Sequence, residues 1–188
     1  MKGGRYILAF VPLGFSSAMA QQRPNILVMI ADDMARCELG CYGGQNLATP
    51  NIDRVANEGM LMTSNFASAA MSVHILASMY TGLYPVRNGS YRNHKATYRG
   101  SRSVTHFLSE LGYRVGRTGK DHPANQPKVY AFEKVPGFPV GCTKSRPPLA
   151  TTDGIREFIN RSADEPFCLF VCSINSHMPW DAGDASEF

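Results

Sequence analysis

The chain has 188 residues, enough for one domain with a real core. Hydrophobic residues make up 44% and charged residues 18%, a balance that excludes a disordered chain. The net charge is only +4 and no Lys/Arg-rich run is present, which argues against nucleic acid as the partner.

Residues 1–20 read as a secretory signal. Lys2 and Arg5 give a positive start, Tyr6 to Phe15 a short apolar stretch, and Ala18-Met19-Ala20 a small-x-small cleavage site before Gln21. The stretch is too short for a comfortable membrane span, so no stable membrane insertion is expected. An uncleaved anchor or a buried first strand are the other readings. The expected organisation is a leader, residues 1–20, and one domain, residues 21–188, secreted or periplasmic.

Asn25 to Ala31 is a nearly continuous apolar run ending on Asp32-Asp33. It predicts a strand buried on both faces, as in a parallel sheet. Thr49-Pro50 predicts a helix start, with Thr49 as N-cap and Gly59 as the stop. Met60 to Thr63 suggests a short strand. A second helix is expected from near Ser72 to Tyr80, closed by Thr81-Gly82. Ser103 caps a third, with Val104, Phe107, Leu108 and Leu111 inward and Gly112 at its end. Tyr113 to Thr118 fits a strand. Residues 123–151, rich in Pro and Lys, read as a long surface excursion. Thr152 to Arg161 predicts a helix, and Phe167 to Ile174 a second strongly apolar strand. Strands alternating with amphipathic helices predict an α/β fold, with a mostly parallel sheet sandwiched by helices.

The five cysteines, Cys37, Cys41, Cys142, Cys168 and Cys172, contain no CxxC pair. No disulfide is predicted, and Cys168 and Cys172 are expected on one face of a buried strand.

Ligands of such sheets gather at the carboxyl ends of strands. Three chemically loaded sites fall there: Asp32-Asp33, Lys120-x-His122 and His177. Adjacent carboxylates repel, and burial raises the cost. A divalent cation relieves both, and oxygen ligands favour Ca²⁺ or Mg²⁺. The competing reading is a solvated loop pair. Taken singly, Lys120 could equally be a solvated surface residue, and His122 or His177 a hydrogen-bonded structural one.

The wider pattern narrows these choices. Pro24 to Val28 leads to Ala31-Asp32-Asp33, then to Leu39-Gly40-Cys41-Tyr42-Gly43, then to Ala48-Thr49-Pro50-Asn51-Ile52-Asp53-Arg54. Thr81-Gly82-Leu83-Tyr84-Pro85, Gly119-Lys120-Asp121-His122 and Ser176-His177-Met178-Pro179-Trp180 follow in order. In order and spacing this resembles the type I sulfatases, from about Arg23 to the end of the chain.

The resemblance implies an alkaline-phosphatase-like fold, incomplete at the C-terminal end, and hydrolysis of the sulfuric esters of a sulfated carbohydrate or aryl sulfate. It implies calcium as the metal, with Asp32 and Asp33 as two ligands. Lys120 and His122 would contact the sulfate, and His177 would help the leaving group depart. A cation beside the sulfate oxygens and a histidine able to donate a proton make coherent chemistry.

The nucleophile motif departs from the family. Its Cys or Ser, converted to formylglycine, opens a Cys/Ser-x-Pro/Ala-x-Arg segment. Counting back from Thr81-Gly82 places that slot at Ser72, but the proline position holds His74 and the arginine position Leu76. Formylglycine at Ser72, and a formylglycine-generating enzyme as partner, therefore depend on a degenerate recognition motif. Ser72 could instead be only an N-cap, or an unmodified nucleophile. The resemblance also implies further metal ligands beyond this segment, so weak calcium binding is expected of residues 21–188. Two other functions stay open: a non-catalytic sulfatase-like protein binding sulfated glycans, and a metal-dependent phosphate-ester hydrolase using unmodified Ser72.

Overall fold

The computed structural model describes residues 23–123, 125–140 and 151–176. The leader, Cys142 and His177 lie outside the described residues. Among the described residues no helix is long and apolar enough to cross a membrane.

Among the described residues four strands form one sheet: β1 (Ile26–Ala31), β2 (Arg114–Gly119), β3 (Glu133–Lys134) and β4 (Phe167–Ser173). Their spatial order is β1-β4-β2-β3 and every pairing is parallel. Among the described residues there are five α-helices: α1 (Pro50–Glu58), α2 (Ser72–Thr81), α3 (Pro85–Asn88), α4 (Val104–Glu110) and α5 (Asp153–Asn160).

The sheet has a core on each face. On one, Leu76 and Tyr80 of α2 meet Val115, Cys168, Phe170 and Cys172, with Val104 and Leu108 of α4 packed alongside. On the other, Phe158 of α5 packs with Val135, Phe167, Leu169 and Val171. Burying such side chains contributes about 1.5–3 kcal/mol each. Helix α5 approaches closely because Gly116 leaves room: a Cβ there would lie 2.7 Å from the Phe158 ring. Cys168 and Cys172 share the first face, as the i, i+4 spacing of a strand requires, and burial pushes the Cys168 thiol up to about 11.

Several expectations need correction. Strand β1 is not buried on both faces. Ile26, Val28 and Ile30 pack inward, but Met29 is 76% exposed and Leu27 also faces out. The cause is position: β1 lies at the sheet edge, beyond the reach of α5. Met60 to Thr63 forms no strand. Phe107 and Leu111 are exposed rather than inward, with the Arg102 guanidinium over the Phe107 ring, while Thr105 is buried instead. The 123–151 segment is not all surface: Val129, Tyr130 and Val135 are core residues and β3 joins the sheet. Thr49 precedes α1 as expected, but its hydroxyl donates to Asp53 Oδ1 at 3.0 Å and accepts from the Gly40 N–H at 2.9 Å. The described cysteines, Cys37, Cys41, Cys168 and Cys172, are free.

Candidate active site

Parallel pairing sends the ends of β1, β4 and β2 to one edge of the sheet. Ala31 pairs with Ser173, and Gly119 with Cys172. The next residues, Asp32 and Lys120, therefore leave their strands on opposite sides of β4. Backbone bonds continue the ladder there: the Asp32 N–H donates to Ser173 O and the Lys120 N–H to Cys172 O, both at 3.0 Å. Two strand spacings, about 9.6 Å, separate the two backbones, and the long lysine side chain spans the gap.

Gly119 makes this placement possible. Its φ is +83°, and a Cβ there would lie 1.9 Å from the Cys172 carbonyl oxygen. Any side chain would push β2 off β4 just where Lys120 turns inward. Arg117, also buried, holds the turn as well: its Nη1 donates to the carbonyls of Gly119 and Lys120, both at 2.8 Å.

Lys120 is 2% exposed. Its ammonium forms an ion pair with Asp32 Oδ2 and donates to Ser72 Oγ at 2.9 Å. The Ser72 hydroxyl in turn donates to Asp32 Oδ1 at 3.1 Å. Ser72 is not the N-cap of α2. Met71 occupies that position, and Ser72 is the first helical residue, its hydroxyl turned to Asp32 and Lys120. A hydroxyl between a carboxylate and an ammonium has its proton aimed at an acceptor and a lone pair aimed at a cation. That arrangement suits an oxygen that gains negative charge.

These groups line an open cavity of about 260 Å³, walled by Ala67, Ala69, Ala70, Ile75 and Met79. Asp33 lines it too, exposed and at φ +60°, a left-handed conformation that aspartate tolerates. Leu76 forms part of the wall one turn beyond Ser72 and is 3% exposed, while His74 is buried. His122 does not line this cavity. It sits beside it, with its pKa held below the ordinary histidine value, mainly by burial and then by the Lys120 ammonium. His94 also lowers it, while Asp121 and Asp32 oppose the shift.

The two carboxylates match a hard divalent cation in donor type. Among the described residues, no group of three or more His, Cys, Asp or Glu side chains is placed to hold a metal. Calcium takes six to eight oxygens, so Asp32 and Asp33 fit as part of a shell rather than a whole one.

Sequence reasoning quoted Gly119 and Ser176 within motifs but gave them no role, and it passed over Arg117. Ser176 Oγ donates to the Asp32 carbonyl at 2.6 Å, fixing the residue before His177 to the Asp32-Asp33 loop. The Gly-Lys pair was visible, and the glycine signalled a special backbone. A lone arginine inside a strand carried no signal of its own.

A family model described as sulfatase matches residues 24–187. An ulvan-active sulfatase of Formosa agariphila is 34% identical over 165 residues, covering 86% of this chain and 32% of that protein. An N-acetylgalactosamine-6-sulfatase of Canis lupus familiaris is 36% identical over 144 residues, covering 70% of this chain and 28% of the relative. A solved structure described as in complex with its substrate D-glucosamine-2-N,6-O-disulfate superposes with a TM-score of 0.72 at 26% identity, covering 85% of this chain and 36% of that one. The chain thus spans about a third of the length of the curated relatives it matches.

Proposed function

Because the chain belongs to the sulfatase family, we propose that it carries the nucleophile and sulfate-binding groups of a sulfuric ester hydrolase acting on a sulfated carbohydrate. The observation that carries this reading is the Ser72–Lys120–Asp32 cluster at the carboxyl ends of β1 and β2. The sulfated-sugar part draws support from relatives whose names specify sulfated sugars and from the neighbour holding a disulfated glucosamine.

Ser72 Oγ stands where a nucleophile can meet a sulfate entering the open cavity. Asp32 Oδ1 accepts the hydroxyl proton, and Lys120 neutralises charge on Oγ and on the sulfate oxygens. His122, whose pKa is lowered by burial and by Lys120, stands beside the cavity and is assigned a sulfate contact by its position in the motif. His177 is assigned leaving-group protonation by its position in the motif. Calcium bound by Asp32 and Asp33 would add further neutralisation of the sulfate. Formylglycine at Ser72 would supply a geminal hydroxyl that releases sulfate without a stable sulfate ester. Secretion or periplasmic residence, from the 1–20 leader, belongs to the same proposal.

A phosphate-ester hydrolase using unmodified Ser72 is the second reading. Its motive is that Leu76 and His74 are buried where the family motif carries arginine and proline. The test is turnover of 4-nitrophenyl sulfate against 4-nitrophenyl phosphate by the full-length protein and its Ser72→Ala variant. Mass analysis of the tryptic peptide over Ser72 accompanies it. Loss of about two hydrogens with sulfate turnover supports the first reading. Plain serine with phosphate turnover replaces it with the second. Sulfated-glycan binding without either turnover leaves a non-catalytic binder.

A further inference from the structure

A second cavity, of about 170 Å³, is bounded by Val73, His94, Lys95, His122, Asn125 and Gln126, with two other residues. It shares no lining residue with the reaction cavity. Yet Val73 directly follows Ser72, and His122 lies two residues past Lys120, near enough to feel the charges of Lys120 and Asp32 from the reaction cavity. Its polar lining is one ammonium, two imidazoles and two amides, with no carboxylate among its described lining residues. A cation with several hydrogen-bond donors and no carboxylate in the lining is chemistry that receives an oxyanion, although Asp121 and Asp32 act on His122 from outside it. A water occupies about 30 Å³, so the space accommodates a small oxyanion with some of its hydration.

The cavity is built rather than a gap between loose loops. His94 adopts φ +59°, a left-handed conformation that costs a non-glycine residue about 1–2 kcal/mol and persists only where the surroundings impose it. Its ring meets the His122 ring edge to face at 5.7 Å. The Thr97 N–H donates to Gln126 Oε1 at 2.8 Å and Gln126 Nε2 donates to Thr97 O at 3.0 Å. That reciprocal pair ties the 94–97 loop to the turn carrying Asn125. The Lys95 N–H closes the loop on Arg92 O at 3.0 Å.

We propose that this cavity is a second anion subsite, in which Lys95, His94 and Asn125 receive a further sulfate or carboxylate on the sugar that presents its sulfate to Ser72. The inference rests on the sulfate-ester reading for its substrate. It makes the chain selective for multiply anionic sugars over singly sulfated ones.

The test compares N-acetylglucosamine 6-sulfate with D-glucosamine-2-N,6-O-disulfate as substrates of the full-length protein. Lys95→Glu should lower the ratio of kcat/KM for the disulfate to that for the monosulfate about tenfold or more, and Lys95→Arg should restore it. His94→Ala should lower the same ratio. An unchanged ratio in an active protein overturns the subsite and leaves the sulfatase reading standing. If the wild type turns over neither sugar, calorimetry with the disulfate decides. Binding weakened about tenfold by Lys95→Glu supports the subsite while removing the hydrolase reading. Equal binding, or none, overturns the subsite.

Discussion

Lys120 donates to Ser72 Oγ at 2.9 Å from a side chain that is almost entirely buried. A lysine is rarely so buried unless paired, and its pairing with Asp32 makes the cluster a single electrostatic unit. Lys120→Met should therefore have two effects. Breaking a buried ion pair from one side costs about 3–5 kcal/mol, seen as a lowered midpoint in urea unfolding. Losing the cation at the reacting oxygen should lower kcat on an aryl sulfate by roughly 10²–10³ or more. Full stability after Lys120→Met would show that the pair is not buried as described.

Gly119→Ala should destabilise the protein without removing any functional group. The new methyl would meet the Cys172 carbonyl oxygen, and the left-handed backbone alone costs a non-glycine residue about 1–2 kcal/mol. Denaturant unfolding should show a loss exceeding that figure, and kcat should fall as Lys120 is displaced. A neutral substitution would contradict the backbone conformation at the end of β2.

Arg117 is a positioning residue, because it touches the Gly119 and Lys120 carbonyls and no reacting atom. Charge-assisted hydrogen bonds are worth about 1.5–3 kcal/mol each. Arg117→Met should lower kcat by about tenfold or more with little change in KM. Arg117→Lys should recover only part of it, since one ammonium lacks the planar fork. A purely structural role would show as lost stability with kcat per folded molecule unchanged.

His122 gives a pH dependence with a definite sign. Its folded pKa lies below the ordinary histidine value of about 6.5, so the unfolded chain binds the proton more readily. Stability should be full above that value and decline as pH falls through it toward the lower folded pKa. His122→Gln should flatten this part of the stability profile, measured by unfolding between about pH 5 and 7. A wild-type profile that rises on acidification would reverse the assigned shift.

The sequence by itself determined the fold class, the alternation of strands and helices, and the order of motifs that marks the family. Those features depend on local periodicity and on short glycine- and proline-bearing segments, which are legible along the chain. It also located Asp32, Ser72 and Lys120 as chemistry-bearing residues, one at a helix start and two at strand ends. That all three serve one site was implied by the family resemblance, but only the tertiary structure decided how they touch, as a hydroxyl held between a carboxylate and an ammonium. Asp32 and Lys120 are 88 residues apart in the chain and face each other because β1 and β2 both pair with β4. Local pattern encodes strand existence but not strand order. The same gap explains the misread burials. Met29 and Leu27 look like core residues until β1 is placed at the edge, and Val129 and Tyr130 look like loop residues until β3 draws their segment onto the sheet. Burial is set by which elements pack together, and that depends on contacts far apart in the chain.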